Sequence, residues 1–143
     1  MKVKFEKVNI QTKKPIEAIN VTPKVKKIVE ESSIKNGLVN IISLHTTTGI
    51  TVTEGLSCLE EDIFFILDKL VPGEENYHHA RYLDSYGRLG INAYAHLKSI
   101  LTGMSSFFPI QDGKMVISST QTIYFLEFDG PLCRTFCVQV LGE

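Results

Sequence analysis

The residues of this 143-residue chain best suited to chemistry are its four histidines, His45, His78, His79 and His96. Imidazole is the commonest metal ligand in proteins. Three neutral imidazole nitrogens leave a tetrahedral metal one open position, the arrangement of catalytic zinc. No HxxxH or CxxC pair supplies two ligands from one element, so spacing alone leaves scattered core or surface histidines as the alternative. A second candidate is Ser43-Leu44-His45-Thr46-Thr47-Thr48-Gly49. A strand end running into three hydroxyls and a glycine can aim several donors at a phosphate or carboxylate, although threonine also serves there for strand propensity. A third is Glu127-Phe128-Asp129-Gly130-Pro131. Alternation puts Glu127 and Asp129 on one strand face, where two carboxylates could act as acid and base, while Asp-Gly also simply favours a turn. Arg134 could hold a phosphate bidentately or pair with a nearby acid.

These residues need elements to carry them. Residues 2–10 read as a strand with Val3 and Phe5 on one face; Val8 and Ile10 fall in the opposite phase, so a bulge near Glu6–Lys7 is expected. Residues 15–21 read as a second strand. A helix follows, with Thr22 as cap, Pro23 in the first turn, an inner stripe of Val25, Ile28, Val29 and Ser32, and Gly37 as its end. Leu38–Leu44 is a central strand, which Gly49–Thr53 continues in extended form. Ser57 and Glu60 form a capping box before a second helix, whose apolar positions are Leu59, Ile63, Ile66, Leu67 and Leu70. Pro72–Gly73 stops it. Residues 73–92 make a long polar connection, and 93–102 a short helix ending at Gly103. The tail reads as strands over Met115–Ser118, Ile123–Phe128 and Leu132–Leu141. Strands without regular βα alternation predict an α+β class.

Composition bounds the rest. The length suits one domain over residues 1–143. Apolar residues are 43% and charged residues 22%, ordinary globular values that argue against disorder. No apolar run approaches the roughly 20 residues a bilayer span needs, and the N-terminus lacks a signal-peptide h-region. The net charge of −1 gives no overall bias toward nucleic acid. Residues 1–36 carry nine lysines against four acids, read as solvated faces before a polyanion-binding arm. Cys133 and Cys137 share one strand about 13 Å apart, too far to bridge. Buried reduced thiols, with Cys58 on a helix, predict a cytoplasmic home.

Taken together, the stretches SLHTTTGITVTE (Ser43–Glu54), YHH (Tyr77–His79), NAYAHLK (Asn92–Lys98) and EFDGP (Glu127–Pro131) resemble the YjbQ-like family, also called the secondary thiamine-phosphate synthase family. The resemblance covers nearly the whole chain. It implies an α+β fold, a two-sheet β-sandwich with two main helices, assembling as a homotrimer or a hexamer. It implies a divalent metal, usually taken as zinc in family members, on His45, His79 and His96. Glu54, Glu127 and Asp129 match the family's acids and are the expected catalytic residues. Thr46, Thr47, Thr48, Gln121 and Arg134 are the expected phosphate-binding set. The implied activity joins a pyrimidine-methyl diphosphate to a thiazole phosphate, so the expected partner is a small phosphorylated metabolite. A metal-dependent phosphoester or amide hydrolase and a non-enzymatic metal- or metabolite-binding trimer are the alternatives. The chain departs from the family pattern at His78 and Ala80, at Tyr94 (usually an acid), at Ser118, Ser119 and Thr120, and at Leu132 (usually an arginine).

Overall fold

A computed structural model describes residues 1–81 and 91–143. Its larger sheet has five antiparallel strands in the order β1 (Lys2–Gln11), β8 (Cys133–Gly142), β3 (Gly37–Ser43), β5 (Ser105–Gln111) and β6 (Lys114–Met115). The smaller sheet is β2 (Glu17–Asn20), β7 (Gln121–Glu127) and β4 (Thr48–Glu54). Three long helices, α1 (Thr22–Glu31), α2 (Ser57–Leu70) and α4 (Ala93–Thr102), and the single-turn α3 (His78–Arg81) complete the described chain. The expected α+β sandwich is present with three long helices rather than two.

The two sheets face each other across one core. Val39 and Ile41 of β3, Phe136, Val138 and Val140 of β8, and Ile50, Ile123 and Phe125 of the smaller sheet meet there with Val25, Ile28 and Val29 of α1. The other face of the smaller sheet buries Tyr124 and Leu126, with Phe128 beyond, against Leu67 of α2 and Ala95 of α4. Strand β7 is therefore covered on both sides. Its buried run Ile123-Tyr124-Phe125-Leu126 has no polar alternation for that reason.

Several local expectations are corrected. No bulge interrupts β1: it pairs with β8 in unbroken register from Lys2↔Gly142 to Gln11↔Cys133. Val8 and Ile10 are in the inward phase, and that phase continues through Glu6 and Lys4, whose ends reach Lys24 and Glu31 of α1. Val3 and Phe5 face outward instead. Thr22 does not cap α1. Its backbone N–H is taken by Asn20 Oδ1, and its own hydroxyl accepts the Ile123 N–H at 2.8 Å, tying α1 to β7. The helix ends at Glu31 and turns through Ser33 at positive φ, so Gly37 opens β3. The capping box of α2 is not formed, because Glu60 accepts the Tyr124 hydroxyl at 2.6 Å. Of the predicted α2 stripe only Leu67 is fully buried, and Ile66 and Leu70 are exposed.

Strand β5 was not expected, since Pro109 interrupts the β signal of Ser105–Gln111. The proline lies opposite Leu38 with its side chain outward, and Phe108 and Ile110 point into the core. The strand expected over Met115–Ser118 shrinks to Lys114–Met115. Part of the 73–92 connection lies outside the described residues. All three cysteines are free; Cys137 is buried, but Cys58 and Cys133 are exposed. No described helix is long and apolar enough to cross a membrane.

The outer face of the larger sheet carries Val3, Phe5, Leu38 and Phe107, all exposed. Ile41→Ala, in the core, is expected to cost about 2–5 kcal/mol in urea unfolding. Phe5→Ser should change the stability of an isolated chain by less than about 0.5 kcal/mol. A loss as large as that of Ile41→Ala would show the outer face buried in an assembly.

Candidate active site

The chemistry-bearing residues converge at one end of the sandwich, where β1, β3, β7 and β8 finish or begin. Register fixes this: Thr48 at the start of β4 lies opposite Glu127 at the end of β7. The same ladder puts Glu54 opposite Gln121 at its far end, six strand steps or roughly 20 Å away. Glu54 and Gln121 therefore do not join the histidines within one chain. Gln121 is occupied locally, its Oε1 accepting the Ser118 N–H at 3.0 Å.

Glu127 is fully buried and completely engaged. Arg134 grips it with Nε and Nη2, both at 2.7 Å. The Thr12 hydroxyl donates to it at 3.0 Å, and the Asp129 backbone N–H at 2.9 Å. Four donors thus occupy both of its oxygens. Glu127 is a structural anchor here rather than the general acid or base expected from sequence. Arg134 Nη2 also donates to Thr47 Oγ1 at 3.0 Å. Its Nη1 makes no hydrogen bond among the described residues and is the one guanidinium nitrogen left for a ligand. Gly130 fits this closure because its backbone is pressed against the neighbouring segment: an added Cβ would lie 2.4 Å from Lys14 O and 2.9 Å from Thr12 Oγ1.

The three threonines have different fates. Thr48 is buried, its hydroxyl bonded to Ser43 Oγ and donating to His45 O at 3.1 Å. Thr47 is held by Arg134. Thr46 alone is exposed. His45 follows β3, and its ring turns toward β8, where Nε2 accepts the Thr135 backbone N–H at 3.1 Å. Burial lowers the His45 pKa, the Arg134 charge lowers it further, and Glu127 partly offsets this. His45 is therefore mostly neutral near pH 7.

His96 and His79 meet edge to face, ring centroids 5.4 Å apart. A cavity of about 350 Å³ lies between Tyr77, His78, His79, Ala93, His96 and Leu97. A second, of about 470 Å³, is lined by Thr46, His96, Ser99, Ile100, Gly103 and Met104. His96 is common to both walls.

Asn92 was not singled out from sequence, although it opens the NAYAHLK stretch. As N-cap of α4 it would ordinarily accept a helix N–H, yet its side chain makes no cap bond. Its Nδ2 donates instead to Asp129 Oδ2 at 2.8 Å, which leaves Oδ1 buried with no partner among the described residues. Tyr94, one turn before Lys98, has its pKa raised by burial and by the Asp129 charge, so it is a neutral O–H donor beside that carboxylate.

The three histidines do not fit a shared ion in this arrangement. Among the described residues no three His, Cys, Asp or Glu side chains come together as a metal-holding group. His79 and His96 are neighbours, whereas the His45 nitrogen nearest β8 is committed to a backbone N–H.

A two-sheet antiparallel α+β domain, with a buried acid–arginine closure at one end and a histidine-lined cavity pair beside it, is the class of protein defined by this geometry. The family model described as UPF0047 protein YjbQ-like matches residues 6–143, and the chain belongs to that family. It is 41% identical over 134 residues to a UPF0047 protein of Archaeoglobus fulgidus, covering 94% of this chain and 98% of that one. A UPF0047 protein of Methanocaldococcus jannaschii is 37% identical, with 96% and 94% covered. A solved YbjQ-like protein of unknown function from Sulfolobus solfataricus superimposes with a TM-score of 0.92 at 33% identity, covering 99% of both chains. An uncharacterised YjbQ/UPF0047 protein from Clostridium acetobutylicum gives 0.85 at 33% identity, covering 95% and 99%.

Arg134→Ala leaves Glu127 buried without its counter-ion, and a loss of about 3–5 kcal/mol is expected in equilibrium unfolding. The lowered His45 pKa gives a second expectation. The unfolded chain takes up this proton near pH 6.5 while the folded chain does not. The stability His45 contributes is therefore complete above about pH 6.5 and is lost as pH falls below it. Urea midpoints between pH 7.5 and 5 should fall less in His45→Asn than in the wild type.

Proposed function

We propose that this chain is an enzyme acting on a small phosphorylated metabolite bound in the two cavities that meet at His96. The observation that carries this is the placement of His96 between Thr46 on one side and His79 on the other. The Thr46 hydroxyl and the imidazoles of His79 and His96 line the cavities, the Arg134 guanidinium stands at the same end of the sandwich, and no lysine is among the described lining residues. Such donors suit phosphate oxygens, whose charge they stabilise without moving a proton. Resemblance supports the thiamine-phosphate-synthase type of transfer. A carbon–nitrogen bond forms between a pyrimidine methylene and a thiazole nitrogen, the methylene–oxygen bond breaks, and pyrophosphate leaves with the electron pair. Thr46 and the free Arg134 Nη1 would hold the leaving group, and Asp129, steadied by Asn92, would orient the incoming partner.

Of the expected zinc ligands, His79 and His96 remain neighbours able to share an ion, and no reaction step is assigned to one. Hydrolysis of a phosphoester or amide is the enzymatic alternative. A binding-only protein is favoured by the closed Glu127–Arg134 pair and by the loss of the usual acid at Tyr94. A homotrimer is supported by the uncovered apolar face around Val3, Phe5, Leu38 and Phe107, since exposed patches of this kind mark association surfaces. Free thiols suit a reducing compartment such as the cytoplasm.

Calorimetry with inorganic pyrophosphate tests the reading. Wild type should bind, and His96→Ala and Thr46→Ala should each weaken binding about tenfold, or roughly 1.4 kcal/mol. Equal binding in wild type and both variants would place the anion elsewhere. Pyrophosphate release from a pyrimidine-methyl diphosphate with a thiazole phosphate then separates transfer from binding alone. In sedimentation velocity, Phe107→Glu should convert a trimer to a smaller species.

A further inference from the structure

The partner of His45 Nε2 is a backbone N–H, and that fact decides what the rest of the ring can do. A backbone amide does not give up its proton, so Nε2 must supply a lone pair to the bond at 3.1 Å. In a neutral imidazole only one nitrogen carries hydrogen. The proton therefore sits on Nδ1.

The position of the accepted bond is well fixed. Leu44 N–H donates to Thr135 O at 3.2 Å while Thr135 N–H donates to His45, so both main-chain groups of Thr135 clasp the Leu44–His45 segment. Thr135 follows Arg134, whose grip on buried Glu127 holds the start of β8. The His45 carbonyl is held from the other side by Thr48 Oγ1. The ring cannot present Nε2 elsewhere without leaving the Thr135 N–H unpaired, a cost of about 1–3 kcal/mol where that group is buried.

Nδ1–H has no protein acceptor among the described residues. A metal ligand needs a lone pair on the free nitrogen, and here the free nitrogen carries a proton. We infer that His45 is not a metal ligand but a neutral hydrogen-bond donor, through Nδ1–H, to an oxyanion of the bound substrate. This rests on the phosphorylated-substrate reading for the identity of the anion, but not for the tautomer. The arrangement has a physical advantage: a neutral donor stabilises charge on a phosphoryl oxygen without competing for the substrate's proton.

The tautomer can be read directly. Long-range ¹H–¹⁵N spectra of the uniformly labelled full chain, with His45 assigned by its loss in His45→Asn, should show a protonated Nδ1 and an unprotonated Nε2 at pH 7.5. The reverse tautomer overturns the inference. Zinc titration is the second readout: the His45 signals should keep this pattern and His45→Ala should retain wild-type zinc stoichiometry, whereas His79→Ala or His96→Ala should lower it if zinc binds at their pair. Loss of zinc on His45→Ala alone would also overturn the assignment.

Substitution gives the functional arm, with pyrophosphate as the probe. The side-chain amide of asparagine can place an N–H near the Nδ1 position, while that of glutamine reaches toward Nε2. His45→Asn should hold pyrophosphate within about threefold of wild type, and His45→Ala and His45→Gln should lose about tenfold. Equal loss in all three contradicts donation from Nδ1. If wild type itself does not bind pyrophosphate, the phosphorylated-substrate reading fails, and the spectra still decide the tautomer.

Discussion

The buried ion pair between Glu127 and Arg134 is the constraint on which the functional end of this molecule depends. A carboxylate with no solvent contact is tolerable only if its charge is matched and its lone pairs are filled. Four donors from β1, the β7–β8 turn and β8 meet that demand. In meeting it they pin together strands from both sheets. The residues after Glu127 enter a turn that includes a cis Gly130–Pro131 bond, and Asp129 there accepts from Asn92 at the start of α4. The residue after Arg134 is delivered to His45. The closure thus sets the positions of three chemically useful side chains without itself reacting.

That division of labour explains how much of the site was legible in sequence. Glu127, Asp129, Arg134 and the threonines were visible as polar residues gathered at strand ends, and the fold does bring them to one place. Their roles were not visible. Whether a glutamate is a catalyst or an anchor depends on its burial and on the donors that surround it, and Thr12, one of those donors, lies 115 residues away along the chain. Glu54 shows the opposite error. It shares a motif with His45, yet strand geometry carries it to the far end of β4.

The same logic holds for the elements. Periodicity found β1, β3, β7, β8 and all three long helices, because those segments bury faces large enough to leave a pattern. It failed where a tertiary partner overrode a local preference. Glu60 leaves its helix end for the Tyr124 hydroxyl, whose pKa burial and this bond push up to about 12. Thr22 leaves its capping role for β7. Ser105–Gln111 becomes a strand despite Pro109 because Pro109 N needs no partner on β3, while Pro109 O still accepts Val116 N–H at 2.8 Å. The two apolar phases of β1 suggested a bulge, but its register is unbroken: Val8 and Ile10 face the core while Val3 and Phe5 lie on the outer face.

Tyr94 shows how a departure from the family pattern can be absorbed locally. An acid at this place would lie near Asp129, and two carboxylates sharing a site resist joint ionisation. Tyrosine replaces that repulsion with a neutral O–H beside Asp129. Position 94 is also one helical turn before Lys98, where a carboxylate would be the natural i,i+4 partner for a buried ammonium. Lys98, almost wholly buried, reaches instead to Asp68 of α2 and lies 5.4 Å from the Tyr94 ring centroid. The charge pair of this lysine therefore runs between α4 and α2 rather than along α4. The helix that carries His96, the residue common to both cavity walls, is fastened to its neighbour by the same lysine.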